Sequence, residues 1–274
     1  MAKYSKKRAR NLHLKEDRFR DAAMKVFDRL GDALEGKGRV ILYGLAAVAG
    51  IALLVGIYSY WSNKKRAEEA QALGRAIEVA TAQVQPSPVT GSTQLTFPTE
   101  QERATRAIAE FQKVSAKYGG RTGEMARYFI AANQLQLGGD ERARGLSALE
   151  QLTRSSYPDI AAQAKFSLAQ AKEYDGQTDQ AAAIYKELAQ QQNGAVPVDT
   201  VNLRLASLYE KQDKKQEAID LYFAIADAAR KGRGPDGKPL PKSSAARDAE
   251  QKLQKLDSAR YAQLPPEAPS DLPL

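Results

Sequence analysis

The chain has 274 residues, of which 43% are hydrophobic and 27% are charged, the proportions of an ordinary folded protein. It has no cysteine, which excludes disulfide bonds, thiolate metal sites and a cysteine nucleophile. Residues 1–39 carry 12 Lys/Arg and 6 Asp/Glu, a net +6 of the total +8, so the basic character belongs mostly to this N-terminal segment.

Residues 1–39 form a basic arm in the predicted organisation. Residues 3–20 are rich in lysine and arginine, and the segment after them spaces apolar residues at helical intervals between charges: Phe19, Ala23, Val26, Phe27, Leu30 and Leu34. This pattern predicts an amphipathic helix on the inner membrane surface. We expect the arm to bind anionic membrane lipid, with ribosomal RNA or no specific ligand as open alternatives. It has no stacking aromatics or known motif that would predict a dedicated nucleic-acid site.

Val40 to Trp61 is a run of 22 uncharged residues. A helix of about 20 residues crosses the hydrocarbon core of a membrane, and Tyr43, Tyr58, Tyr60 and Trp61 suit its two interfaces. The long arm and the long apolar run disfavour a cleaved signal peptide, and a buried soluble helix is the other alternative. The sequence predicts one transmembrane helix at 40–61, with the N-terminus cytoplasmic and the C-terminal domain outside. In a diderm bacterium this location is the periplasm, and the membrane is the bacterial inner membrane.

Small residues recur four positions apart within this run, as Ala46 with Gly50 and Ala52 with Gly56. Such pairs allow another membrane helix to pack closely. They are therefore candidate helix-packing positions, although alanine and glycine are also common in membrane helices generally.

Residues 62–231 are predicted to be a repeat domain built from helices, without a period-2 strand. Residues 66–85 carry an apolar stripe, and a loop rich in turn formers covers 86–98. Thr99 and Glu102 have the spacing of a capping box, which predicts a helix from there to Tyr118, ending at Gly119-Gly120.

Three segments of the repeat domain share one pattern. Each segment has a hydrophobic residue next to an alanine, then a turn residue, then a second alanine, and successive segments are 38 and 37 residues apart. The hydrophobic–alanine pairs are Ile130-Ala131, Leu168-Ala169 and Leu205-Ala206. The turn residues are Gly138, Gly176 and Asp213, and the second alanines are Ala143, Ala181 and Ala218. Ala104 suggests an earlier unit. The turn residue reverses the chain and the alanine allows two helices to pack closely.

The C-terminal part is predicted to close the repeats. The pattern favours a loop over residues 232–243 and, over residues 244–262, a capping helix with one apolar side and one polar side. Residues 263–274 are rich in proline and are predicted to be a disordered tail.

Nothing in the sequence predicts an enzyme, a cofactor, a metal site or a small-molecule site. The only histidine, His13, lies in the basic arm, and the acidic residues are scattered over charged helix faces. Helical repeats are typical of protein binding. Candidate groove positions on the first helix of each unit are Met125, Tyr128, Phe166, Gln170, Leu203 and Arg204. Ordinary packing between helices is the alternative for the apolar members.

The units resemble the tetratricopeptide pattern, best in Leu205, Ala206, Tyr209, Ala218 and Tyr222, whereas Ser147 and Glu150 depart from it in the first unit. The fold class is therefore predicted as all-α: a single N-terminal transmembrane helix followed by a tetratricopeptide-like solenoid of helical hairpins.

The layout over about residues 40–230 resembles the YfgM-like family of membrane-anchored tetratricopeptide proteins. The features that carry this resemblance are the apolar segment ending YSYWSNKK, the KYGG turn and the repeat units. The resemblance implies a scaffold near the Sec translocon whose partners are translocon subunits, a periplasmic chaperone and exported clients. An envelope-assembly or cell-division adaptor independent of the translocon is the alternative function.

Overall fold

The computed structural model describes residues 38–86, 94–191 and 194–267, and these residues are predominantly helical, as predicted. The helices are α1 (Gly38–Ala80), α2 (Glu100–Lys117), α3 (Gly120–Leu137), α4 (Gly139–Leu152), α5 (Pro158–Tyr174), α6 (Thr178–Ala189), α7 (Val198–Lys211), α8 (Lys215–Lys231), α9 (Ser244–Leu256) and α10 (Ser258–Tyr261). Two short strands are β1 (Gln83–Val84) and β2 (Thr96–Phe97). The predicted amphipathic arm helix lies outside the described residues.

The chain divides into two compact units between Ala67 and Glu68. In the first unit, α1 carries a run of exposed large apolar side chains: Ile51, Leu53, Leu54, Val55, Ile57, Tyr58, Tyr60 and Trp61. The side chains of residues 38–49 lie outside the described part. Among the residues that are described, no helix combines the length and the apolar character that crossing a membrane requires.

The second unit begins with a correction to the predicted helix and loop boundaries. The helix predicted over 66–85 ends at Ala80, and β1 then pairs in parallel with β2. The prediction that this domain has no strand was therefore wrong. Gln85 precedes Pro86, and the proline ring disfavours helical backbone at the residue before it. The backbone amide of Gln85 instead donates a hydrogen bond to the Phe97 carbonyl at 2.8 Å.

α2 begins as the sequence predicted. Thr99 is its N-cap, and the Thr99 hydroxyl accepts a hydrogen bond from the Glu102 amide at 3.1 Å. The helix ends at Lys117, where Tyr118 takes an extended conformation before Gly119. The predicted start after Thr99 is confirmed, and the predicted end at Tyr118 is one residue too late.

Three antiparallel helix pairs follow: α3 with α4, α5 with α6 and α7 with α8. The three predicted turn residues all adopt left-handed backbone, with φ of 76° at Gly138, 74° at Gly176 and 59° at Asp213. Glycine takes this conformation without a Cβ penalty, and aspartate is among the residues that tolerate it. The repeat spacing therefore predicted the turns correctly.

The predicted position of the small residue in the first of these pairs is wrong by two residues. Ala143 is exposed, and Gly145 lies at the close approach instead, where an added Cβ would fall 2.8 Å from the Ala131 carbonyl oxygen. The interval from the turn residue to the small residue is two residues longer here than in the two later pairs, and Gly139 is also left-handed, with φ of 51°.

With this shift, the first pair follows the same pattern as the others. α2 and the second helices of the three pairs share three positions, a small residue followed by two bulky ones: Ala107, Phe111 and Val114; Gly145, Leu149 and Leu152; Ala181, Tyr185 and Leu188; Ala218, Tyr222 and Ile225. Leu149 and Leu152, rather than Ser147 and Glu150, are the buried residues of α4.

The core of the second unit consists of three apolar clusters along the chain. One joins the end of α1 to α2 and α3 around Phe111. The next joins α3, α4 and α5 around Leu149 and Ile160. The largest runs from α5 to the C-terminal residues around Tyr185 and Tyr222. Each helix pair thus shares its core with its neighbours, so the pairs are held in one continuous stack.

The C-terminal prediction needs two corrections. The helix predicted over 244–262 breaks at Asp257, whose carboxylate accepts from the Arg260 amide at 2.8 Å and starts α10. The predicted disorder is wrong for residues 263–267, because Leu264 is buried and the Pro265 carbonyl accepts a hydrogen bond from Arg230 at 2.7 Å. Residues 268–274 lie outside the described part.

Arg230 organises this C-terminal segment from α8. Its side chain is only 7% exposed and donates to Glu250 at 2.8 Å and to the Tyr261 hydroxyl at 3.1 Å. Burial lowers the pKa of Arg230, but the bonds to Glu250 and Tyr261 outweigh that effect and raise it. The buried cation is therefore paired, as such groups must be.

Candidate protein-binding surface

The apolar candidates on α3 lie against the core rather than in open solvent. Met125 and Tyr128 are half-buried beside the cluster around Leu149. The Tyr128 hydroxyl lies 3.0 Å from the Ser167 hydroxyl of α5. These two residues therefore contribute to packing between neighbouring helix pairs.

Phe166 and Leu203 are also half-buried, and both pack against the largest cluster. The Phe166 ring lies 5.8 Å from the Tyr185 ring at an angle of 60°, a favourable aromatic geometry. Gln170 is half-buried on α5. The four apolar candidates, Met125, Tyr128, Phe166 and Leu203, thus all pack between helices, which was the alternative interpretation of the sequence.

Leu203 and Arg204 also line a cleft between α7 and α9, which we call the α7/α9 cleft. Its volume is about 590 Å³, and its lining residues are Thr200, Leu203, Arg204, Ser207, Ser244, Ala245, Asp248, Gln251, Lys252 and Lys255. Two predicted candidates are therefore brought together here with residues of the C-terminal helix.

Sequence reasoning missed the contribution of α9 because it treated that helix as a solvating cap. The signal was present in the spacing of Ser244, Asp248, Gln251 and Lys255, which places them along one helix face. This face lies beside α7, while the opposite face of α9 carries Ala249 and Leu253 into the core.

The cleft has an excess of positive charge. Its lining holds three cations, Arg204, Lys252 and Lys255, and one anion, Asp248, for a net +2. Lys252 forms an ion pair with Glu210, with Nζ and Oε2 2.9 Å apart. Burial would raise the pKa of Glu210, but hydrogen bonds from Lys252 and Tyr222 overcome it and lower that pKa below the usual range.

The Glu210 contacts repeat one unit earlier and connect successive helix pairs. Tyr222 donates to Glu210 at 3.1 Å, and Tyr185 donates to Glu173 at 3.4 Å. Lysines from the next first helix complete both groups, since Lys252 bonds to Glu210 and Lys211 bonds to Glu173 at 2.6 Å. We call these two groups the tyrosine–glutamate–lysine bridges; they hold α7 against α5 and α9 against α7.

The predicted membrane-helix packing positions are described only in part. The side chain of Ala46 lies outside the described residues, and Ala52 is exposed. A Cβ added at Gly50 or Gly56 would have open space within 4 Å, apart from the backbone of its own helix. This helix face is therefore open over the described residues.

The lining of the α7/α9 cleft combines three cations, the anion Asp248, hydroxyl groups and the half-buried Leu203. Among the described residues, no group of three or more His, Cys, Asp or Glu is placed to hold a metal ion. Comparison of the chain with protein-family profiles, with curated proteins and with solved structures found no match.

Proposed function

We propose that this protein is a non-enzymatic, single-pass scaffold of a bacterial inner membrane, with a periplasmic tetratricopeptide-like domain that binds partner proteins. The partners are translocon subunits, a periplasmic chaperone or exported clients. Anchoring would raise their effective concentration at the site where exported chains emerge.

The α7/α9 cleft carries the binding part of the proposal. Stacked helix pairs expose the first helix of each pair, and such surfaces typically receive an extended or helical segment of another protein. Here the cleft between two such helices presents charged, hydroxyl and aliphatic groups together.

The anchor part of the proposal rests on the uncharged sequence over 40–61 and on the exposed apolar residues between Ile51 and Trp61. Large apolar patches on a protein surface mark contact with a membrane or a partner. The basic residues Lys64, Lys65 and Arg66 follow the C-terminal end of this uncharged segment, where charged side chains would meet the membrane–water interface.

Photo-crosslinking in living cells tests the proposal. Probes at Arg204 and Gln251 line the cleft, while a probe at Ser147 is exposed on α4 and serves as the control. We expect adducts to translocon subunits, a periplasmic chaperone or exported chains from the cleft positions in excess of the control. Adducts only to division or outer-membrane assembly proteins would replace the translocon function with the adaptor function.

A further inference from the structure

The cations of the α7/α9 cleft are available to a ligand to different degrees. Arg204 and Lys255 are exposed, and neither forms an ion pair within the described part of the chain. Lys252 is already paired with Glu210. The charge of Lys255 also acts on the Glu210 carboxylate, without an ion pair between them. Each wall therefore presents one cation without an ion-pair partner among the described residues to an anionic ligand.

The remaining lining groups suit a peptide. Thr200 and Ser244 supply hydroxyl groups, and Leu203 supplies an aliphatic surface that is half-buried. Hydroxyls can donate to carboxylates, and an aliphatic group between cations can hold a small apolar side chain. The α9 wall from Ser244 to Lys255 is about 16 Å long at ~1.5 Å per residue, the length of about five extended residues.

We propose that the α7/α9 cleft binds an extended acidic segment of a partner protein, with carboxylates at Arg204 and Lys255 and an apolar side chain against Leu203. This inference rests on the proposed protein-binding function and names the chemistry of the partner. Nucleic acid fits the cleft less well, because no aromatic ring lines it for base stacking.

The test uses the full chain in detergent and a fluorescein-labelled hexapeptide of four acidic residues and two leucines, read by fluorescence anisotropy. We expect binding that weakens with salt and that falls about tenfold in the double variant Arg204→Glu/Lys255→Glu, because two exposed attractions become repulsions. A peptide with lysines in place of the acidic residues should bind more weakly than the acidic one.

The matched control is Lys215→Glu/Lys238→Glu, which changes the net charge equally at exposed positions outside the cleft lining. It should keep the wild-type affinity within about twofold, since distant exposed charges are screened. Equal loss in both double variants would reduce the effect to net charge and overturn the proposal. Unchanged affinity in the cleft variant would overturn it as well.

Other occupants give distinct results that also overturn the proposal. A single-stranded oligonucleotide or an anionic vesicle that binds more tightly, and loses affinity in the same variant, would assign the cleft to that class. A dimer that dissociates in the variant would assign it to a second copy. Peptide binding that needs removal of residues 268–274 would assign it to the chain's own C-terminal residues.

The two proposals fail separately. If the cleft probes crosslink to envelope proteins but the acidic and basic peptides bind equally, the scaffold proposal is retained and the acidic-segment proposal is rejected. If the acidic peptide binds more tightly and needs Arg204 and Lys255, but no envelope protein crosslinks in cells, the acidic-segment proposal is retained and the proposed location is rejected.

Discussion

Gly145 sets the register of its helix pair because glycine has no side chain. A Cβ at this position would lie 2.8 Å from the Ala131 carbonyl oxygen and 3.1 Å from the Gln134 Cβ. Backbone cannot retreat as a flexible side chain can, so α4 approaches α3 closely only because residue 145 is glycine. The corresponding residues in the later pairs are alanines, which implies slightly wider packing there.

We predict that Gly145→Ala lowers the free energy of unfolding by up to about 2 kcal/mol. Overpacking usually costs about 1–3 kcal/mol, and the helix propensity that alanine gains over glycine offsets about 1 kcal/mol of that cost. Urea unfolding of the full chain measures the change.

Gly74→Ala is the control, since Gly74 also lies within a helix and a Cβ added there would have open space within 4 Å. It should stabilise the protein by up to about 1 kcal/mol. A Gly145→Ala protein as stable as the wild type would mean that residue 145 is not at the closest approach.

The tyrosine–glutamate–lysine bridges connect the pair α5/α6 to the pair α7/α8, and α7/α8 to α9. Tyr222 is fully buried, and its hydroxyl donates to Glu210 while lying 3.2 Å from Ser207. Burial and the neighbouring Glu210 carboxylate raise the pKa of Tyr222 to about 12. The folded state thus holds the proton of this hydroxyl more strongly than the unfolded chain does.

This difference predicts the pH dependence of stability. A tyrosine whose pKa is raised on folding stabilises the protein fully below the unfolded value of about 10, and this contribution is lost as the pH rises through the folded value. Tyr222→Phe removes the titrating group. We expect it to cost about 1 kcal/mol at neutral pH, the net value of a typical hydrogen bond, and to make the loss of stability between pH 10 and 12 shallower.

Chemical unfolding at pH 7 and at pH 11 measures both effects. Tyr174→Phe is the matched control, because Tyr174 is 83% exposed and phenylalanine keeps its ring beside Arg142. It should change neither the stability at neutral pH nor the slope. An unaltered alkaline slope in Tyr222→Phe would contradict the assigned bridge.

Because the sequence has no cysteine, single introduced thiols can determine the topology of the protein. Ser5→Cys places a thiol in the basic arm, and Ser147→Cys places one at an exposed site on α4. The proposed orientation predicts that a membrane-impermeant maleimide labels Ser147→Cys in cells with a permeabilised outer membrane, and labels Ser5→Cys only after lysis.

The unsubstituted chain, which has no thiol, gives the background for this labelling. The protein should also remain with the membrane fraction after alkaline carbonate extraction. Equal labelling of both thiols before lysis, or release of the protein by carbonate, would contradict a single-pass anchor with the arm in the cytoplasm.

Local and periodic features were predictable from the sequence, whereas features that depend on distant contacts were not. Gly138, Gly176 and Asp213 were found because a left-handed turn favours few residue types. The place of Leu264 in the core was missed because it is buried among residues of helices that lie far earlier in the chain. Likewise, the α9 wall of the cleft becomes visible only when α9 lies beside α7.

The pairing of Glu173 with Lys211 and of Glu210 with Lys252 has a consequence for how this protein could lengthen. A tandem copy of residues 175–211, inserted after Lys211, would begin and end at helix turns and would carry its own tyrosine, glutamate and lysine. Its Tyr185 and Lys211 would meet the original Glu210 at the spacings of the existing bridge, and its own Glu210 would meet Tyr222 and Lys252. Gene duplication could therefore extend the stack by one unit while every bridge retains a complete set of partners.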